Sequence, residues 1–157
     1  MYSGFAVVTL FGIGLAYIEA AVVVYLRALF YADGFTFPLA DFAANPLLRE
    51  LLQVEVAREA ATLLVLFTAS WLIGNNFQTR LAWFLTTFAV WDIFYYVWLK
   101  VLLDWPATLM DWDILFLIPT TWAGPVLAPV LVSLTMIAFA LVILHRQCRA
   151  RPMRASC

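Results

Sequence analysis

Side chains that hold transition metals are scarce in this chain of 157 residues. It contains one histidine, His145, and two cysteines, Cys148 and Cys157, and all three lie close to the C-terminus. Haem, copper and zinc sites depend on imidazole and thiolate ligands, and no Cys-x-x-Cys pair or Cys/His cluster is present. The sequence therefore argues against haem, copper and zinc, predicts no metal site and identifies no other cofactor.

Charge is scarce as well. Only 12% of the residues are charged and 66% are hydrophobic, and the mean hydropathy is +0.95, whereas soluble domains are about 25% charged. This composition predicts an integral membrane protein whose surroundings are the lipid bilayer. The net charge of −1, with no basic patch outside the C-terminal tail, argues against a nucleic-acid partner.

Four apolar segments are long enough for the roughly 20 residues that cross a bilayer. Their approximate bounds are 4–31, 47–73, 79–103 and 123–146. The sequence Gly74-Asn75-Asn76 ends the second segment and predicts a tight turn before the third. No linker rich in Pro, Gly or Ser divides the chain. We therefore predict an all-α fold, an integral membrane antiparallel four-helix bundle, in which residues 1–157 form a single transmembrane domain.

The first segment carries two further signals. Small residues recur at every fourth position, Gly12, Ala16 and Ala20, which predicts a seam where another helix approaches closely. Arg27 and Tyr31 come two to three turns later, where the pattern is typical of anchors at the membrane interface.

Residues 104–124 differ from the four spans. They are too apolar for a solvated loop, and Pro106 and Pro119 break them too often for a full span. We therefore predict an interfacial or re-entrant segment between spans three and four. Its tryptophans are expected at the level of the lipid headgroups: Trp105, Trp112 and Trp122.

Lysine and arginine are unequally distributed between the two ends of the predicted bundle. Five arginines lie on the side of the termini and three basic residues on the other, namely Arg80, Arg146, Arg149, Arg151 and Arg154 against Arg27, Arg49 and Lys100. Under the positive-inside rule, this predicts that both termini and the basic tail 147–157 are cytoplasmic and that the protein resides in the plasma (inner) membrane.

The second span contains a polar face. Glu55, Arg58, Glu59 and Thr62 lie within about 100° of arc when each residue advances by about 100° around a helix. The remaining residues of this span are mostly Leu, Val, Ala and Phe. Because charged groups facing lipid would be stranded in hydrocarbon, this face is expected to turn toward the other helices.

Carboxylates also occur in two other spans. Glu19, Glu59 and Asp92 each lie near the middle of their own span, and each is expected to cost about 2.5 to 3.5 kcal/mol at the bilayer centre. We therefore expect them to converge on one cavity as candidate catalytic acids. The candidate ligand-binding residues lie next to them on the same helix faces: Glu55, Arg58, Thr62, Tyr95 and Tyr96.

The sequence offers Arg58 as the single cation at that depth, against four carboxylates. Either some carboxylates are protonated or a cation is bound, because an uncompensated excess of negative charge is unstable at low dielectric. A structural interpretation also exists. Arg58 would then pair with Glu55 or Glu59. The other acids would form hydrogen bonds that only lock the bundle, with Tyr95, Tyr96, Thr62 or tryptophan indoles as partners.

The favoured hypothesis is a pocket inside the membrane, acidic and lined by aromatic residues, that binds a small or lipophilic ligand, with acid catalysis and hence enzyme activity left open. One alternative is a proton- or cation-coupled transporter or channel acting as a homodimer. The scarcity of polar residues in the fourth span, which offers Ser133 and Thr135, argues against simple transport. The other alternative is a structural subunit of a larger membrane complex.

Overall fold

The computed structural model describes residues 2–31 and 46–149. Within these ranges the chain is mostly helical and contains one two-stranded sheet. The elements are α1 (Tyr2–Phe30), α2 (Pro46–Ile73), α3 (Phe77–Leu103), β1 (Trp112–Phe116), β2 (Trp122–Pro125) and α4 (Leu127–Arg149). The four helices are long and apolar enough to cross a membrane. Of the predicted basic tail, residues 147–149 belong to α4, and residues 150–157 lie outside the described part.

Helix α3 is the centre of the molecule and packs against the other three helices. Its contact with α1 follows the predicted small-residue seam. A Cβ atom at Gly12 would lie 2.8 Å from Cγ1 of Val90, and Ala16 and Ala20 are completely buried. The two backbones therefore approach so closely that only small residues fit on α1 at these positions.

The turn between α2 and α3 lies where the sequence predicted it. Gly74 donates its backbone N–H to the carbonyl of Ser70, and the Asn76 side chain caps α3 by accepting from the N–H of Thr79 at 2.9 Å. The hydroxyls of Ser70 and Thr87 then join the two helices at 3.1 Å. Since the connection is so short, α2 and α3 run antiparallel side by side.

Residues 112–125 form a β-hairpin, so the all-α prediction misses this small sheet. The strands are antiparallel, with Asp113 opposite Gly124 and an irregularity between Ile114 and Phe116. Because residues 122–125 pair with β1, helix α4 begins at Leu127 and not near 123. Strand pairing is the physical reason: the strands satisfy each other's backbone hydrogen bonds in a segment whose prolines prevent a continuous helix.

The hairpin folds back along the helices. The ring of Phe116 stacks on Phe88 with centroids 6.0 Å apart and meets the edge of Trp91 at 6.5 Å. Phe88 lies roughly 20 Å from the end of α3 at a rise of 1.5 Å per residue. The hairpin therefore runs alongside α3 and does not lie flat across the ends of the helices.

The close contact between α1 and α3 predicts that a larger residue at Gly12 lowers the stability of the fold. Gly12→Ala should lower the thermal stability of the purified protein, at a cost of about 1–3 kcal/mol for overpacking, because Val90 would have to move. Gly14→Ala is the matched control, since a Cβ there meets nothing within 4 Å. Equal melting temperatures for the two variants in the same detergent would contradict this packing.

Candidate functional site

A cavity of about 170 Å³ lies between α1, α2, α3 and β1. Seven of the eight side chains predicted for the site line it: Glu19, Glu55, Arg58, Glu59, Asp92, Tyr95 and Tyr96. The eighth, Thr62, is buried beside it and donates a hydrogen bond to Glu19 at 3.2 Å. The structure thus gathers the predicted residues around one space, while their proposed roles stay predictions.

Arg58 joins α1 to α2. Its Nε and Nη2 atoms donate to Oε2 of Glu55 at 2.8 and 2.6 Å, and its Nη1 atom pairs with Oε1 of Glu19. The pair with Glu55 uses the i, i+3 spacing of α2, as the structural interpretation expected. The contact with Glu19 lies between helices and sets how the polar face of α2 meets α1.

Glu59 has a different environment from its neighbours on α2. Its Oε2 atom accepts from the backbone N–H of Leu117 at 2.9 Å, and its Oε1 atom accepts from the N–H of Ile118 at 3.2 Å. These N–H groups follow β1, where strand pairing has ended. The buried carboxylate therefore supplies acceptors for two backbone N–H groups that strand pairing does not satisfy.

Asp92 faces α4. Its Oδ2 atom accepts from the hydroxyl of Ser133 at 2.7 Å, and both residues are buried. The sequence suggested the phenols of Tyr95 and Tyr96 as hydrogen-bond partners for the acids. The structure gives Asp92 a serine on another helix as its partner, whereas the Tyr96 hydroxyl is a hydrogen-bond partner of Asp113. The rings of Tyr95 and Tyr96 pack edge to face, 4.9 Å apart, on the cavity wall.

Sequence reasoning missed a second ion pair on the cavity wall. Arg27 lies 3.6 Å from Oδ1 of Asp113 on β1, and its guanidinium stacks 3.9 Å above the ring of Trp105. Arg27 is therefore a buried residue of the cavity as well as an end-of-helix residue. The position of Arg27, about one turn inside the predicted end of its span, was a sequence signal for a buried cation. No local sequence pattern indicated that Asp113 would be its partner.

Burial changes the acidity of Asp113. Removal from water raises its pKa to about 6, and the positive charge of Arg27 opposes this shift only in part. By contrast, the exposed carboxylates at either end of the loop before β1 have lowered pKa values, Asp104 through Lys100 and Asp111 through Thr108. Asp113 is thus poised to change charge under mildly acidic conditions.

The cavity is unevenly charged and incompletely paired. Five carboxylates and two guanidinium groups line it. Two atoms of residues that line it, Oδ2 of Asp113 and Nε1 of Trp91, have almost no accessible surface and no close hydrogen-bond partner among the described residues. The Tyr96 hydroxyl is a hydrogen-bond partner of the Asp113 carboxyl group. In the same part of the chain, no group of three His, Cys, Asp or Glu side chains is arranged to hold a metal ion.

Comparison of the chain with protein-family models, curated proteins and solved structures finds no match. A function must therefore be argued from the chemistry of the cavity.

The hydrogen bonds of Glu59 predict the effect of Glu59→Gln. An amide has one carbonyl acceptor, so one of the two backbone N–H groups should lose its partner, at a cost of about 1–3 kcal/mol. Hydrogen exchange measured by mass spectrometry should show faster exchange in the peptide that contains Leu117 and Ile118. Glu50→Gln, at an exposed position of the same helix, is the control. Unchanged exchange in Glu59→Gln would refute the anchoring role.

The raised pKa of Asp113 predicts a dependence of stability on pH. Because the folded state binds this proton more tightly than the unfolded chain, the contribution of Asp113 is greatest below about pH 4 and is lost as the pH rises through about 6. Its size is on the order of 2–3 kcal/mol. Asp113→Asn should flatten the corresponding slope of melting temperature between pH 4 and 7, whereas Asp104→Asn should keep it. A slope identical in wild type and Asp113→Asn would be the contrary result.

Proposed function

We propose that this protein is an integral membrane protein whose internal cavity binds a small or lipophilic ligand, with the carboxylates as its acidic groups. The volume of about 170 Å³ suits such a ligand, because an apolar cavity of about 150 Å³ is large enough to bind benzene. The cavity combines apolar walls with a few polar groups, as small-molecule sites usually do.

Residence in the membrane is supported by the distribution of polar groups. Glu19, Glu59 and Asp92 are buried, while large apolar side chains such as Leu64 and Leu72 on α2 are exposed. Lipid would cover these apolar surfaces. We further propose an antiparallel arrangement in the inner membrane with both termini cytoplasmic, which places Arg80, Arg146 and the basic tail on that side.

The observation that carries the proposal is the incomplete pairing of the cavity. A core that serves stability alone gains little from buried ions, since well-packed apolar replacements are often neutral or stabilising. Here five carboxylates face two guanidinium groups, and each guanidinium group already lies beside a carboxylate. A ligand bound among these groups would explain the excess of carboxylates.

Binding is favoured over transport because the cavity is closed on one side. A buried cluster of Ala16, Leu66 and Trp91 lies one turn beyond Glu19 and Thr62, toward the turn between α2 and α3. Ala16 and Leu66 are completely buried there. A transport path would require these three buried apolar residues to move apart.

If the protein is an enzyme, Asp92 is the candidate acid. Among the described residues, Asp92 accepts a hydrogen bond from Ser133 alone. By contrast, Glu19 and Glu55 pair with Arg58, and Glu59 accepts two hydrogen bonds from the hairpin. A carboxyl with few fixed partners can donate a proton to a ligand with little rearrangement.

Native mass spectrometry of the protein released from a mild detergent tests the proposal. Wild type is expected to carry a small non-protein mass, and Asp92→Asn, which preserves shape and the bond from Ser133, should lower its occupancy several-fold with little change in melting temperature. Thr135→Val, at an exposed position of α4, is the control.

Two results would overturn the proposal. A bare wild-type mass together with a more stable Asp92→Asn variant would favour a purely structural polar core. A stoichiometric protein partner in place of a small mass would favour a subunit of a larger complex.

A further inference from the structure

Carboxylates are confined to part of the chain. All ten aspartate and glutamate residues lie within residues 19–59 and 92–113, so residues 60–91 and 114–157 contain none. These two segments without acids hold Arg80 and four arginines near the C-terminus. The sequence therefore places these arginines far along the chain from any carboxylate.

The two segments without acids meet at the turn between α2 and α3. The side-chain amide of Asn76 donates to Gln147 of α4 at 3.3 Å, and Gln147 also forms a hydrogen bond with Gln78. The last turn of α4, which carries two exposed arginines, therefore lies beside this turn. We use the name basic end for the three described arginines of this region: Arg80, Arg146 and Arg149.

Arg80 is held in one orientation. Its Nε atom donates to the carbonyl of Gly74 at 3.0 Å, and its guanidinium stacks 3.9 Å over the ring of Trp71. Gly74 permits this approach, because a Cβ atom there would lie 2.6 Å from Cα of Arg80. Its two Nη groups have no partner among the described residues. A guanidinium fixed in this way presents a pair of donors, which suits the oxygens of a phosphate.

The basic end differs from the other charged regions in its pairing. Arg27 and Arg58 lie beside carboxylates, and Lys100 lies beside Asp104. No arginine of the basic end forms an ion pair within residues 2–31 and 46–149. The described part of the chain therefore supplies no counter-charge there.

Apolar surface adjoins Arg80. Trp71 is 48% exposed, Leu72 is 86% exposed and Phe77 is 73% exposed, and all three lie where α2 ends and α3 begins. Tryptophan at a helix end is typical of the membrane interface, where lipid headgroups lie. A partner that is anionic in one part and apolar in the next matches this surface better than a soluble anion does.

We infer that the basic end binds an anionic phospholipid. Its phosphate accepts hydrogen bonds from the Nη groups of Arg80, and its acyl chains cover the apolar surface formed by Leu72 and Phe77. Arg146 and Arg149 add positive charge that favours a headgroup with a net negative charge. The inference rests on the proposed residence in the membrane and is independent of ligand binding in the cavity.

Native mass spectrometry of the protein released from nanodiscs tests the inference, with phosphatidylglycerol and phosphatidylcholine in equal parts. Wild type should retain phosphatidylglycerol several-fold over phosphatidylcholine, and Arg80→Gln should lose most of this preference. Lys100→Gln is the matched control, because it removes a positive charge at the other end of α3, and it should behave like wild type. Equal retention of the two lipids by wild type, or the same preference in both variants, would overturn the inference.

Two further variants separate lipid binding from folding, since Arg80 also contacts the turn between α2 and α3. Arg80→Lys keeps the charge but loses the fork of donors, so its preference should be intermediate. The double variant Arg146→Gln and Arg149→Gln leaves Arg80 in place and should reduce the preference with an unchanged circular dichroism spectrum. A double variant that keeps the full preference, together with an unfolded Arg80→Gln, would count against the inference.

Melting temperatures in detergent distinguish a lipid from a free anion. Added phosphatidylglycerol should stabilise wild type more than Arg80→Gln, because a ligand that binds the folded state raises its melting temperature. Glycerol 3-phosphate, a soluble phosphate ester without acyl chains, should have no comparable effect. An equal effect would identify an anion site and refute the lipid, as would an acidic protein that occupies the basic end.

Failure of this inference is distinguishable from failure of the proposed function. Protein that does not enter nanodiscs at all would refute residence in the membrane, and the inference with it. Inserted protein without a lipid preference would refute the inference alone and leave the proposal for the cavity standing.

Discussion

The structure depends on the burial of the polar face of α2. On a helix that crosses a membrane, two carboxylates and a guanidinium could not face lipid. Arg58 pairs with Glu55 on its own helix and with Glu19 on α1. The pair with Glu19 links α2 to α1, and Glu59, at the next position of α2, binds the hairpin.

The hairpin supplies the part of the cavity wall that the helices do not form. Polypeptide without helical structure can lie at membrane depth only when its backbone is satisfied inside the protein. In this protein, strand pairing satisfies the backbone of residues 112–116 and 122–125, and Glu59 accepts from the two N–H groups just beyond β1. The same segment brings Asp113 to Arg27 and Phe116 to Phe88. A cavity wall made of strand and helix therefore carries more varied polar groups than helix faces alone.

The acids of the cavity differ in how they are paired. Glu19, Glu55 and Glu59 have partners that account for their presence as stabilising contacts. Oδ2 of Asp113 and Nε1 of Trp91 have no close partner among the described residues, although both side chains are buried. Leaving such groups unsatisfied costs about 1–3 kcal/mol each.

The sequence by itself determined the four helices, the turn at Gly74, the small-residue seam of α1 and the inward direction of the polar face of α2. These features follow from local properties, because segment length and helical periodicity are repeated within a few turns. Only the tertiary structure decided the partners of the acids. Glu59 and Leu117 are 58 positions apart, and Asp92 and Ser133 are 41 apart. Pairs at such separations produce no periodic pattern in the sequence, because the two residues meet only when the hairpin and α4 pack against the other helices.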